Sequence, residues 1–295
     1  GGKVVYSGLK SEINEDFIVS KMIRQTDDSL EAKVEKNEFS ITDIWQLLGK
    51  SNTSESGTTM LEIKDLNAKK LNGVSLSVKA GEIVGIIGNP DSGVRELPLV
   101  LGGDEKITGG EYYVDSNLMP TNLTPRMCYQ AGVNVLPCDR PLRGGIMSCT
   151  VTENVLMPNL MQFWNKPGLE KDTLEKSSEV FDIQPRNSTQ ILFGKLSGGN
   201  QQKAIMAKWL STCPKVFVLD DPTYGVDPAS RIKIFSAMRD AAANNIALIV
   251  FSTEPEQLAG LCSRVIVLCQ GKVSAELRQS DGSLSRNSIA KWCYT

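Results

Sequence analysis

A chain of 295 residues with 41% hydrophobic side chains has the apolar mass for one large α/β domain or two ordinary ones, and too much for a disordered polymer. Its 32 basic and 34 acidic residues leave a formal charge of −2 with no basic cluster, which argues against a nucleic-acid footprint. Histidine is absent, which excludes His-ligated zinc, Ser-His-Asp triads and a histidine general base in this chain. The seven cysteines are odd in number and form no CxxC pair, which predicts reduced thiols in a cytoplasmic setting. Apolar runs such as Ile246 to Phe251 are far shorter than the ~18 residues that span a bilayer. With no secretory signal and Gly1 in place of an initiator Met, the expectation is a soluble piece of a longer protein.

Residues 1–10 read as the end of a β-hairpin, and the apolar positions Ile13, Phe17, Ile18, Met22 and Ile23 have helical spacing. The region 1–50 has too little apolar mass to hold a core alone. Residues 51–59 are rich in Ser, Thr and Gly and read as a linker, so the main domain is expected at 60–295. Leu61–Ile63 and Val74–Val78 alternate like strands, Lys79-Ala80-Gly81 turns, and 82–87 is a buried-strand run. Helical patterns are expected at 94–101 and 232–243, with further buried strands at 215–220, 246–251 and 264–268. This alternation predicts a parallel sheet with helices on both faces.

Two constellations carry chemistry. Gly88-Asn89-Pro90-Asp91-Ser92-Gly93-Val94-Arg95 joins a buried strand to a helix, the place where backbone N–H groups meet phosphate. Its glycines have Walker A spacing, but Val94 stands at the lysine position and Arg95 at the Ser/Thr that would hold Mg²⁺. On these residues alone, a phosphate cradle and an ordinary left-handed turn are equally good readings. The second is Leu196-Ser197-Gly198-Gly199-Asn200-Gln201-Gln202-Lys203, opening a helix that runs to Leu210. Ser197 can cap that helix, and the glycines admit a phosphate to its N-terminus. Trp209 sits at core spacing on the same helix. A strand ending Leu219-Asp220-Asp221-Pro222-Thr223 follows.

This second pair, in this order and spacing, resembles the signature motif and Walker B of ATP-binding cassette (ABC) ATPases. LSGGNQQK with AKWL, LDDPTYGVD, and the stretch 251–273 resemble the C-terminal half of the tandem ABC ATPases of bacterial monosaccharide importers, with their nucleoside-type relatives. Residues 135–158 resemble the segment of those proteins that begins VPEDR, and residues 1–30 the tail of their first cassette. The resemblance implies a P-loop NTPase fold: a mostly parallel sheet flanked by helices, an antiparallel β subdomain, and a helical subdomain at about 138–210. It implies a 1–50 tail of a preceding cassette and a second cassette at 60–295.

It also implies ATP and Mg²⁺ as cofactors. Gly88 to Arg95 would be the phosphate loop, Asp220 the metal-holding Walker B carboxylate, Asp221 the catalytic carboxylate, Thr253 the switch position, Asp227 the D-loop acid and Cys138 the Q-loop position. Leu196 to Gln202 would be the signature, with Ser197, Gly199 and Gln201 embracing the γ-phosphate held by another cassette upstream in the same polypeptide. Losing the lysine removes the charge that pairs the phosphates. The implied partners are that cassette, transmembrane permease subunits met by the 138–160 region, and indirectly a solute-binding protein, with no nucleic acid. The implied location is peripheral, on the cytoplasmic face of the inner membrane. The implied role is energy coupling in an importer of a sugar or related polar solute, with a poorly hydrolytic site of its own. The alternatives are a non-transport ABC protein and a non-hydrolysing regulatory nucleotide-binding module.

Overall fold

The computed structural model describes residues 40–163, 168–185 and 190–293. The hairpin expected at 1–10 and the helix expected at 13–24 lie outside these residues. The first described element is helix α1, Ile41–Leu47, whose start is closed by the Ser40 N–H donating to Asp43 Oδ2 at 2.6 Å. Strands β1 (Thr59–Asn67) and β2 (Val74–Lys79) pair antiparallel, and β3 is Ile83–Gly88. Helix α2 is only Leu97–Leu101, three residues shorter at its start than the expected 94–101, because Gly93 takes φ +83° and the chain turns through 91–96 first. Strands β4 (Gly109–Val114) and β5 (Asn117–Leu118), helix α3 (Pro125–Ala131) and strand β6 (Val133–Leu136) follow.

From 137 to 215 the described chain is helical: a turn at Arg140–Gly144, then α4 (Val151–Leu156), α5 (Leu160–Phe163), α6 (Leu169–Val180) and α7 (Gly198–Leu210). Strand β7 (Val216–Asp220), helix α8 (Pro228–Ala243), strand β8 (Ala247–Phe251), helix α9 (Pro255–Leu261), strands β9 (Arg264–Cys269) and β10 (Lys272–Arg278) and helix α10 (Arg286–Cys293) complete the chain. Helix α8 begins four residues before the expected Ile232 because Asp227 caps it and Pro228 suits its first turn.

Two sheets result. A four-stranded antiparallel sheet has the order β2-β1-β4-β5, and a six-stranded one the order β10-β9-β3-β8-β7-β6, parallel except for β10. Each continuous apolar run divides its side chains between two cores, as the two-residue period of a strand requires. In β7, Phe217 and Leu219 join a core with α1, α4, α6, α7 and α8, while Val216 and Val218 join a second core with the antiparallel sheet and α2.

Residues 40–56 lie along this body. Ile41, Ile44 and Trp45 are buried in the larger core, and Trp45 Nε1–H donates to Leu210 O at 2.7 Å. In the stretch expected as a linker, Asn52 Nδ2 donates to Asn244 O at 2.8 Å, and Ser54 O accepts from Asn245 Nδ2 at 3.1 Å.

Candidate functional site

A parallel sheet delivers the C-terminal ends of its strands to one edge, where ligands of such sheets collect. Here that edge receives Gly88 from β3, Cys138 just past β6, Asp220 from β7, and Ser252 and Thr253 just past β8. Gly88 is required by close approach: a Cβ there would lie 2.6 Å from Leu268 O and overlap Ser92 Oγ. The loop holds itself together through Ser92, whose buried hydroxyl donates to Asn89 O at 2.7 Å and accepts from the Val94 N–H at 3.3 Å. From outside, Gly271 N–H donates to Ser92 O, and Glu96 accepts from the N–H groups of Lys69 and Lys70 at 3.0 and 2.6 Å. Val94 turns inward and is buried in the second core, whereas Arg95 is exposed.

Gly88, Val94, Arg95, Asp220, Asp221 and Thr253 line one cavity of about 40 Å³. Asp221 takes φ +45°, a conformation costly for a residue with a side chain. It is held there by its own N–H donating to Phe251 O at 3.0 Å and its Oδ1 accepting from the Thr253 N–H at 3.2 Å. Burial raises the pKa of Asp220 and of Asp221, and Arg95 opposes both shifts. Burial, followed by the neighbouring Asp220 carboxylate, pushes the Cys138 thiol up to about 11. Thr253 thus enters through its backbone, by orienting Asp221.

The signature helix is built differently. Ser197 is the N-cap of α7, accepting from the Asn200 N–H at 3.4 Å and from Asn200 Nδ2 at 3.0 Å. Ser197 is exposed, Gly198, Asn200 and Gln201 are half-buried, and Leu196, Gly199 and Gln202 are buried. Gly199 faces its own chain: a Cβ there would meet Ser230 Oγ at 2.6 Å and Asp227 Oδ2 at 3.0 Å. Asp227 caps α8 through the Ser230 N–H at 2.9 Å. Burial works against its charge, and the Ser230 hydrogen bonds more than offset this, leaving the carboxyl below its usual range. The D-loop acid and the signature glycine are therefore packed together.

For Asp139, Arg140 and Arg143 the sequence leaves two readings, a solvated surface pair and, favoured over it, contacts near the nucleotide or a membrane partner; the structure gives all three partners within the chain. Asp139 Oδ1 accepts from the Leu142 N–H at 3.3 Å, and Arg143 pairs with Asp104 at 3.6 Å. Arg140 donates to Gly198 O at 2.9 Å while lining a cavity of about 440 Å³ with Arg95, Cys138 and Asp221. One side chain thus touches both the phosphate-loop cavity and the signature helix, and nothing in the local pattern signals a contact 58 residues away. Trp209 is not simply core: its ring stands 6.3 Å from Tyr129, and its indole N–H, buried and without a partner among the described residues, borders a cavity of about 270 Å³ shared with Asp104 and Arg143.

Mg²⁺ seeks six hard oxygen ligands in octahedral array. At this loop the metal-binding hydroxyl is replaced by Arg95, the Ser92 hydroxyl is committed within the loop, and Cys138 offers soft sulfur. No group of three His, Cys, Asp or Glu side chains among the described residues could hold a metal ion. The residues present do not fit a divalent cation here, although Asp220 occupies the expected carboxylate position.

The profile of the family described as ABC transporter matches residues 71–224. The chain is 30% identical over 296 residues to the ribose import ATP-binding protein RbsA of Clostridium perfringens, covering 98% of this chain and 55% of that one. It is 32% identical over 231 residues to the arabinose import ATP-binding protein AraG of Rhizobium etli, covering 76% of this chain and 46% of the relative. The chain thus spans about half the length of the curated relatives it matches. Among solved structures, it is similar to a nucleotide-free ATP-binding cassette from an ABC transporter, at 25% identity and TM-score 0.64, covering 80% of this chain and 96% of that one. A dimeric cassette bound to ADP and phosphate matches at 24% identity and TM-score 0.64, over 74% and 98%. With more than half its length inside the family profile, the chain belongs to the ABC transporter family of ATP-binding cassette ATPases.

Proposed function

We propose that this chain is the second cassette of a two-cassette import ATPase for a sugar or related small polar solute, and that it serves chiefly by lending its signature helix to an ATP held on the other cassette. The observation that carries this is the contrast within one chain. The signature helix is capped by the exposed Ser197, while the phosphate loop has a buried Val94 at the lysine position. Ser197, Gly198, Asn200 and Gln201 would meet the γ-phosphate at a helix N-terminus, the end whose dipole favours anions. Gly199 supports this from behind, by letting α7 sit against Asp227 and Ser230. Mg²⁺ at that composite site would be held by the other cassette. The chain's own loop would bind nucleotide without rapid turnover.

The ribose and arabinose import proteins it resembles are about twice its aligned length, which is the room a preceding cassette would fill. Import across a membrane needs a permease, so the names of these relatives support transmembrane permease subunits as partners; a solute-binding protein would act indirectly, through the permease. No described helix is long and apolar enough to cross a membrane. On the proposed reading the chain sits peripherally, at the cytoplasmic face, where ATP is available. Exposed Leu142 and Ile146, within the 138–160 region, are the surface on which a permease segment would dock.

The test compares ATP turnover of this chain alone with turnover of the polypeptide carrying both cassettes. Negligible hydrolysis alone and Mg²⁺-dependent hydrolysis on joining support the proposal. Turnover on the order of 1 s⁻¹ by the chain alone contradicts it.

A further inference from the structure

We infer that the phosphate loop of this cassette takes its nucleotide without a divalent cation, the Arg95 guanidinium supplying the positive charge to the phosphates. The inference deepens the proposed function, because it rests on the reading that this loop binds nucleotide at all.

The loop keeps the backbone of a phosphate cradle and has lost the side chains of a metal site. Gly88 and Gly93 still hold their conformations, the first by contact with Leu268 O and the second at φ +83°. The one hydroxyl in the loop, Ser92, is buried, with its donor and acceptor both occupied inside the loop. Asp220 and Asp221 remain, yet Cys138 gives sulfur where an oxygen ligand would stand.

Into this place comes Arg95. It is exposed and makes no hydrogen bond or ion pair among the described residues. It lines the small cavity with Gly88, Asp220 and Asp221, and the adjoining larger one with Cys138, Arg140 and Tyr224. Its charge acts on both carboxylates. A fixed cation there repels a second, divalent one and offsets the carboxylates that would otherwise repel phosphate. A guanidinium also presents a planar fork that matches two phosphate oxygens. The ligand class is a nucleoside di- or triphosphate free of metal.

The experiment is calorimetric titration of this chain with ATP in excess MgCl₂ and, at matched ionic strength, in excess EDTA. The affinity in EDTA is expected within about threefold of that in Mg²⁺, whereas Arg95→Ser loses roughly ten- to a hundredfold in EDTA. Arg95→Lys, which keeps the charge and loses the fork, retains part of the metal-free binding. Because Arg95 is exposed, melting curves should show all three proteins folded. Binding that weakens more than about tenfold in EDTA overturns the inference and leaves the nucleotide-binding reading intact. Arg95→Ser binding in EDTA as well as wild type overturns it too. No binding in either buffer overturns both.

Discussion

The signature helix and the phosphate loop are both glycine-containing turns that lead into helices, yet one is complete and the other altered. At the signature, the side chains that face outward are intact, and the glycine is fixed by packing of the chain against itself. At the phosphate loop the backbone is intact, and the outward chemistry has changed from lysine and hydroxyl to one free arginine. Shape and chemistry can therefore be lost separately. The glycines of this loop are fixed by contacts with Leu268, Lys70 and Leu71, which do not depend on what side chains stand at 94 and 95.

The comparison is broken most strongly at Ser197. Ser197→Arg places a long cation on the exposed cap. It should lower ATP turnover of the two-cassette polypeptide by about a hundredfold or more, the scale on which a preorganised transition-state contact is felt. The loss of the cap costs only about 1 kcal/mol of stability. Steady-state ATPase beside a thermal melt separates the two effects.

The next largest effect concerns Val94, the lysine position. Its burial predicts that Val94→Lys loses about 1.5–3 kcal/mol of stability and does not tighten ATP binding, since the side chain points into the core. Denaturation and calorimetry would show this. Tighter binding without destabilisation would mean that the loop can turn the residue outward.

Gly199→Ala sharpens the signature side. Its Cβ would press on Ser230 and Asp227 and should cost about 1–3 kcal/mol, read as a lower melting temperature of this chain alone. If position 199 mattered only to the partner's phosphate, the isolated chain would melt unchanged. Smallest is Arg140→Ala. Losing the bond to Gly198 O at a partly exposed site should cost about 1 kcal/mol or less, with a several-fold fall in two-cassette turnover that Arg140→Lys partly restores.

Much of this was legible from local pattern. The buried strands at 216–220, 247–251 and 264–269 lie within a residue of the expected runs, because apolar, β-branched stretches between turns have few alternatives. The span of α7, from its Ser197 cap to Leu210, was also legible, since capping and helical spacing coincide. What was not legible depends on distant partners. The glycine at 93 delays α2, Val94 is drawn into the core by the antiparallel sheet, and Gly199 meets an element 31 residues onward. The β4–β5 hairpin and β6 escaped notice because β4 opens on Gly109-Gly110-Glu111, β5 is two residues long, and β6 is four residues with Asn134 inside it, too short for a clear strand pattern. Residues 40–56 read as tail and linker because their anchors, Leu210 O and Asn244 O, are more than 160 residues away.

The most direct test of the central claim is one ATPase comparison on the two-cassette polypeptide, Ser197→Arg against Asp221→Asn. On the proposed function, the first alters the signature lent to the other cassette, and the second the acid of this cassette's own site. The account predicts that Ser197→Arg removes nearly all turnover, while Asp221→Asn leaves at least about half. The reverse result, with Asp221→Asn inactive and Ser197→Arg near normal, would contradict it and place hydrolysis at this chain's own phosphate loop.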